Sequence, residues 1–117
     1  MYSLISKWTI LPGQQEVAIC ALHELAHQVK LSEPDTWAYV VHTPDFAHAS
    51  LPTPAAGEVV FFEIYKNEAA FTAHVNGPNF VQFVQKHGHL FLSDNGRPYV
   101  SLEIMKRQAG YVRESAS

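Results

Sequence analysis

The chain begins with a stretch in which hydrophobic and polar residues alternate. Between residues 2 and 11, Leu4 and Trp8 fall on the same face, which is the period-two spacing of a β-strand, and Pro12-Gly13 ends the stretch. Over residues 14–31 the period changes, because apolar residues return at every third or fourth position. This spacing predicts an amphipathic helix with a buried stripe formed by Ala18, Ala21, Leu22, Leu25 and Val29.

Two further strands follow, separated by a long loop. Residues 36–42 and 58–65 are rich in β-branched and aromatic side chains, which favour the pleated conformation of a strand. The segment between them, residues 43–57, holds three prolines and many small residues. It therefore predicts a loop that is longer than most.

The second half of the chain predicts two short helices and a last strand. Asn67 is placed to cap a helix that runs to about residue 75, and Pro78 suits the first turn of the next helix. Asp94-Asn95-Gly96 is a turn signal, and residues 99–107 predict the last strand. The resulting order, β-α-β-β-α-β, predicts an α+β fold of the ferredoxin-like type, an antiparallel sheet with its helices on one face.

The strands at residues 36–42 and 58–65 are apolar on both faces. A sheet with helices on one side usually has a polar face on the other side. Since so short a chain has no spare element to cover a second apolar face, we expect a homodimer in which two sheets pack face to face. On the second of these strands the two faces are formed by Val60, Phe62 and Ile64 and by Val59, Phe61 and Tyr65.

Composition and charge exclude several classes of protein. The 117 residues, 47% hydrophobic and 16% charged, fit one folded domain, predicted over residues 1–112 with a polar tail at residues 113–117. A net charge of −3 without a basic stripe argues against nucleic-acid binding. No apolar run approaches the ~20 residues that cross a membrane. Residues 1–11 carry Lys7 in their middle and no small-residue cleavage site, so we expect no signal peptide. Cys20 is the only cysteine, so we expect no internal disulfide and a cytoplasmic location.

Five segments of the chain share motifs with one known family. They are Trp8–Gly13, Leu22–Ala26, Glu33–Thr36, Glu63–His74 and Gly77–Phe80, and the fourth is the most specific. Together they resemble the antibiotic biosynthesis monooxygenase family, dimeric α/β-barrel proteins that include small quinol monooxygenases. The resemblance runs through most of the chain.

The resemblance implies a homodimer in which each subunit holds an apolar cavity between its sheet and its helices. It also implies oxidation of a small phenolic or quinol-type aromatic with dioxygen, without a metal ion or flavin as cofactor. Because an electron-rich aromatic anion itself reduces dioxygen, the protein needs only to bind, deprotonate and shield the substrate. Where polyketide-oxidising members carry Asn and Trp, this chain has Phe61 and Tyr65, and where many members carry His it has Asn79.

Candidate site residues come from family position and from side-chain chemistry. Tyr65 is singled out by both as the residue that contacts a substrate phenolate. His74, at a family-like position on a helix, either orients a substrate oxygen or forms a structural hydrogen bond that ties its helix to the sheet. His42 is either a base at the mouth of the cavity or an ordinary strand end. The predicted lining of the substrate pocket is aromatic, since such rings stack on flat ligands, and consists of Trp8, Trp37, Tyr39, Phe61 and Phe62.

The first helix also carries a literal HExxH motif, from His23 to His27, which binds catalytic zinc in many hydrolases. At about 100° per residue, both histidines fall opposite the apolar stripe, and no third ligand stands at a recognisable spacing. We therefore predict a solvent-exposed helix face and no metal site. Three functions remain open: a cofactor-independent monooxygenase as the leading hypothesis, a non-catalytic ligand-binding or stress-related dimer, and a zinc hydrolase.

Overall fold

A computed structural model describes residues 1–95 and 97–113 of the chain. The long strands form an antiparallel sheet in the order β2-β3-β1-β6, which is the ferredoxin-like arrangement predicted from the sequence. No helix within the described residues is long and apolar enough to cross a membrane. The elements, in chain order, are β1 (Tyr2–Thr9), α1 (Gln15–Ser32), β2 (Thr36–His42), β3 (Glu58–Tyr65), α2 (Glu68–Asn76), α3 (Pro78–His87), a 3₁₀ turn (Gly88–Leu90), β4 (Ser93–Asp94), β5 (Arg97–Pro98) and β6 (Ser101–Met105).

The core lies between the helices and one face of the sheet. The predicted stripe of α1, from Ala18 to Val29, is buried as expected. Trp8 of β1 is the centre of the aromatic part of the core, which excludes water from the region between β1 and α3. Its ring centroid lies 5.0–6.0 Å from those of Phe61, Phe80, Phe83 and Phe91.

The break between α2 and α3 is fixed by local chemistry. Asn67 caps α2 as predicted, since its side-chain oxygen accepts a hydrogen bond from the backbone N–H of Ala70 at 2.9 Å. Gly77 follows α2, and a Cβ atom there would lie 2.8 Å from the carbonyl oxygen of Ala73, so only glycine fits. Pro78 then begins α3. The last turn of α2 and the first turn of α3 are thereby held side by side.

The predicted first and last strands are both shorter in the structure. β1 ends at Thr9, after which Ile10 forms an isolated bridge with Phe91. The backbone N–H of Leu92 donates to Thr9 at 2.8 Å, and that of Tyr99 donates to Leu92 at 2.9 Å. The chain therefore crosses the end of β1 before β6 can start.

A small hairpin, β4–β5, occupies this crossing and was not predicted as strands. Asp94 of the predicted turn belongs to β4, and Asn95 adopts a positive φ of 50°, as a turn requires. Gly96, the third residue of the turn signal, lies outside the described residues. Residues 114–117 of the predicted tail also lie outside them.

The face of the sheet that is turned away from the helices is open and apolar at its centre, with Lys7 and Glu103 on the same face by the register of β1, β3 and β6. Val40, Phe62 and Met105 on this face are 47%, 49% and 43% exposed, and Val40 lies directly opposite Phe62 in the register of β2 and β3. This face is called the open face below. The open face of β3 is thus apolar as predicted, whereas the helix-side face, also predicted to be apolar, carries the buried Glu63 beside Phe61 and Tyr65.

Candidate active site

Three polar side chains are buried on the helix side of the sheet. Ser6, Glu63 and His74 have exposed fractions of 4%, 5% and 3%. A carboxylate is costly to bury without hydrogen bonds, so the surroundings of Glu63 define the centre of this site. Its direct neighbours across the sheet are Leu4 on β1 and Tyr39 on β2.

Both carboxylate oxygens of Glu63 accept hydrogen bonds from side chains on the same face. The hydroxyl group of Tyr65 donates to Oε1 at 2.5 Å, and the hydroxyl group of Ser6 donates to Oε2 at 3.0 Å. Burial raises the pKa of Glu63 above its ordinary value of 4.5, while these two hydrogen bonds oppose the rise. Glu63 therefore takes up a proton more readily than an exposed glutamate does.

Two tyrosines next to Glu63 remain protonated. Burial raises the pKa of Tyr65 above its ordinary value of 10.0, and the adjacent carboxylate of Glu63 raises it further. The same two causes raise the pKa of Tyr39 well above that value. A neutral phenol has an O–H group to donate, so Tyr65 is the donor and Glu63 the acceptor in the bond between them, and Tyr39 keeps its hydroxyl proton.

His74 borders the cluster and is held in place by a second carboxylate. Its Nδ1 atom lies 2.7 Å from Oε1 of Glu33 and donates to that oxygen. Its ring centroid lies 5.2 Å from that of Tyr39 and 5.6 Å from that of Tyr65. His74 thus makes a structural hydrogen bond, but it ties α2 to the end of α1 and not to the sheet. Its ring packs against both phenols.

The carboxylate of Glu33 accepts hydrogen bonds from side chains on three different elements. Glu33 follows the last residue of α1 and accepts hydrogen bonds from Thr36 on β2 at 3.0 Å, from His74 on α2, and from Asn79 on α3 at 2.8 Å. Asn79 also donates to the hydroxyl oxygen of Ser32 at 2.7 Å. One carboxylate therefore fixes where α2 and α3 meet α1, and with them the position of His74.

The sheet divides the predicted site residues into two groups. His42 and Phe62 lie on the open face with their ring centroids 4.7 Å apart, because alternate residues of a strand point to opposite faces. Trp37 lies at a register irregularity of β2 and is 53% exposed. The structure therefore does not bring all the predicted residues into one pocket. The residues on the helix side are Trp8, Tyr39, Phe61, Tyr65 and His74.

Sequence reasoning did not single out Glu63, Glu33 or Asn79 as parts of this site. A signal for Glu63 was present, since it is the one charged residue on a β3 face otherwise formed by Val59, Phe61 and Tyr65. There was less reason in the sequence to assign Glu33 to the site, because a glutamate followed by a proline indicates only that a helix ends there.

The HExxH motif lies on the outer surface of α1. His23, Glu24 and His27 are exposed, while Leu25 between them is buried in the core. The predicted solvent-exposed helix face is therefore observed. Among residues 1–95 and 97–113, no group of three or more His, Cys, Asp or Glu side chains is arranged to hold a metal ion.

Fold and sequence together define the class of this protein. The sequence model of the antibiotic biosynthesis monooxygenase family matches residues 1–86. These residues extend from β1 nearly to the end of α3. They contain all members of the buried group around Glu63, which are Ser6, Tyr39, Glu63, Tyr65 and His74. The chain belongs to the antibiotic biosynthesis monooxygenase family.

Solved structures show the same fold at low sequence identity. PA3566 from Pseudomonas aeruginosa is 20% identical, covers 92% of this chain and 94% of its own, and has a TM-score of 0.71. Rv0793 from Mycobacterium tuberculosis is 16% identical, with coverage of 99% and 98% and a TM-score of 0.68. A crystal structure named antibiotic biosynthesis monooxygenase is 20% identical, with coverage of 93% and 100% and a TM-score of 0.73. Among curated proteins, no sequence matches this chain.

Proposed function

We propose that this protein is a homodimeric monooxygenase that oxidises a small phenolic or quinol-type aromatic with dioxygen, without a metal ion or flavin. Family membership supports the class of reaction. The observation that carries the proposal is the buried pair of Glu63 and Tyr65, joined at 2.5 Å. It places a proton acceptor and a hydrogen-bond donor together where water is excluded, which is what deprotonation of a phenol followed by protection of its anion requires.

In the proposed reaction, Glu63 accepts the proton of the substrate hydroxyl group. The hydroxyl group of Tyr65, which no longer faces a charged carboxylate, then donates to the phenolate oxygen. His74, anchored by Glu33, orients the same oxygen. The aromatic anion supplies the electrons that reduce dioxygen. For a quinol, the ring gains one oxygen atom to give a hydroxyquinone, and the second oxygen atom leaves as water with two hydrogen atoms from the substrate.

The dimer is proposed from the open face. A contiguous apolar surface of this kind is typical of a protein–protein contact, and a second copy with the same face is its simplest partner. His42 and Phe62 then belong to the interface and not to the site around Glu63. A cytoplasmic location is proposed from the single cysteine, Cys20, which is exposed and would be at risk of oxidation elsewhere.

Oxygen uptake with a panel of substituted hydroquinones tests the proposed reaction. We expect uptake by the wild type, and a loss of about 100-fold or more in the Glu63→Gln variant, in keeping with removal of a general base. Tyr2→Phe is the matched control, since Tyr2 lies directly opposite Tyr65 on β1, while the side-chain donors to Glu63 are Ser6 and Tyr65. Full activity of the Glu63→Gln variant would contradict the assigned role.

A non-catalytic ligand-binding dimer is the second candidate. It is favoured by one observation, namely that both oxygens of Glu63 are already paired and that Tyr65 is fully buried. If the protein is a non-catalytic ligand-binding dimer, the hydrogen bonds around Glu63 serve only to stabilise the fold. Saturable binding of phenols without oxygen uptake for any member of the panel would identify this function.

A further inference from the structure

On the helix side of the sheet, two surface grooves approach the buried cluster from different directions. The α1–β2 groove has a volume of about 310 Å³ and is lined by residues that include Leu22, His23, Ala26, Tyr39, Val41 and Thr43. The α2 groove has a volume of about 270 Å³ and is lined by residues that include Glu33, Asp35, Ala73, His74, Pro78 and Asn79. One lining residue of each groove also packs against the residues around Glu63. This residue is Tyr39 in the α1–β2 groove and His74 in the α2 groove.

We propose that the α1–β2 groove is the binding site of a phenol with one or two rings, which enters with its oxygen directed at Tyr39. The inference rests on the proposed function and names the substrate's place in it. The volume sets the size of the ligand, because pockets for small molecules begin at about 300 Å³. The apolar side chains of Leu22 and Val41 provide the walls that an aromatic ring prefers.

Charge distinguishes the two grooves. The α2 groove contains the carboxylates of Glu33 and Asp35, and an aromatic ring placed there would take water from these charged groups at a cost in free energy. Glu33 also engages His74 and Asn79 in hydrogen bonds, so this route to the cluster is closed by satisfied polar groups. The α1–β2 groove has no carboxylate among its lining residues, and its titratable groups are an imidazole and a phenol.

Tyr39 connects the α1–β2 groove to the buried acceptor. It lines the groove, lies directly opposite Glu63 in the register of β2 and β3, and packs its ring on Phe61 at 5.6 Å and on His74 at 5.2 Å. In this proposal, rotation of the Tyr39 side chain is the movement that admits a ligand from the groove to Glu63. His23, the first residue of the HExxH motif, then contacts the ligand at the rim and does not bind metal.

Binding is measured apart from turnover, with 4-fluorophenol as the probe and ¹⁹F NMR as the readout. The Ala26→Phe variant fills the α1–β2 groove, and the Ala73→Phe variant fills the α2 groove in the same way. We expect Ala26→Phe to weaken binding about tenfold or more and Ala73→Phe to leave binding and hydroquinone oxidation unchanged. His23→Ala, a change at an exposed position, should weaken binding about fivefold through loss of one ring contact at the rim.

The outcomes separate this proposal from the proposed function. Equal binding by the wild type and the Ala26→Phe variant, loss of binding in the Ala73→Phe variant, or no binding at millimolar 4-fluorophenol overturns the groove assignment. If Ala26→Phe abolishes binding while the wild type oxidises none of the hydroquinones, the groove assignment stands and the oxidation fails. If the folded Ala26→Phe variant still oxidises hydroquinones at the wild-type rate, the groove assignment fails and the oxidation stands.

Discussion

The hydroxyl group of Tyr65 donates a 2.5 Å hydrogen bond to the carboxylate of Glu63, two residues earlier on the same face of the same strand. Both residues are buried, and burial raises the pKa of each. Because the ordinary pKa of a tyrosine, 10.0, lies far above that of a glutamate, 4.5, the proton between them stays on the phenol while the carboxylate is charged. This pair gives the interior of a small α+β domain a proton acceptor that is shielded from water, and its removal has consequences for both stability and activity.

The Tyr65→Phe change isolates the contribution of this hydrogen bond. It leaves Oε1 of Glu63 without its donor while keeping the aromatic ring, so the free energy of unfolding should fall by about 1–3 kcal/mol. Turnover should fall as well if Tyr65 stabilises a phenolate. Urea denaturation and oxygen uptake measure the two effects. The Tyr2→Phe variant should lose much less stability, and an equal loss in both would show that the bond to Glu63 is unimportant.

The Glu63→Gln change tests the raised pKa through the pH dependence of stability. The folded state holds the proton of Glu63 more tightly than the unfolded chain does. The contribution of Glu63 to stability is therefore complete below its ordinary pKa of 4.5 and is lost as the pH rises through the higher pKa of the folded state. Glutamine does not titrate, so the stability of the Glu63→Gln variant relative to the wild type should improve as the pH rises through that range.

Denaturation curves at a series of pH values measure this difference. Glu24→Gln is the control, because Glu24 is an exposed glutamate on the surface of α1, and its curve should follow that of the wild type. A constant difference between the Glu63→Gln variant and the wild type at every pH would contradict a raised pKa.

A double-mutant cycle on Glu33 and His74 measures how strongly α2 is tied to the end of α1. The two side chains are 2.7 Å apart with 18% and 2% of their surface exposed, so the variants Glu33→Ala and His74→Ala should show a coupling free energy of about 1–3 kcal/mol. The Asp45 and His48 pair is the comparison, at 3.0 Å but 68% and 83% exposed. Its coupling should be much smaller, because solvent screens exposed pairs.

Phe62→Asp tests whether the open face is a dimer interface. A charge in the centre of an apolar contact is costly to bury, so the variant should be monomeric in sedimentation experiments at concentrations where the wild type is a dimer. Far-UV circular dichroism should be unchanged, since Phe62 is 49% exposed in the single chain. Leu31→Asp, which changes an exposed residue of α1, is the control and should remain dimeric. A monomeric wild type would refute the proposed interface.

The sequence predicted the sheet better than it predicted the site. The bounds of β2 and β3 were correct because each has a dense run of β-branched and aromatic residues between turn-forming residues. The β4–β5 hairpin was missed because strands of two residues are too short to show a period. The hydrogen-bond partners of Glu63 and His74 could not be predicted for a different reason. Ser6 and Glu63 are 57 positions apart in the sequence, and Glu33 and His74 are 41 positions apart. Local patterns carry no information about such pairs.

The placement of Glu33 has a consequence for the way the molecule opens. Its carboxylate is shared by the end of α1, the start of β2, the last turn of α2 and the first turn of α3. Segments held by one group tend to separate together. The backbone amides of these turns should therefore exchange with deuterium at a common opening free energy, as one cooperative unit. In the Glu33→Ala variant the same amides should exchange independently, with the ends of the helices fraying first.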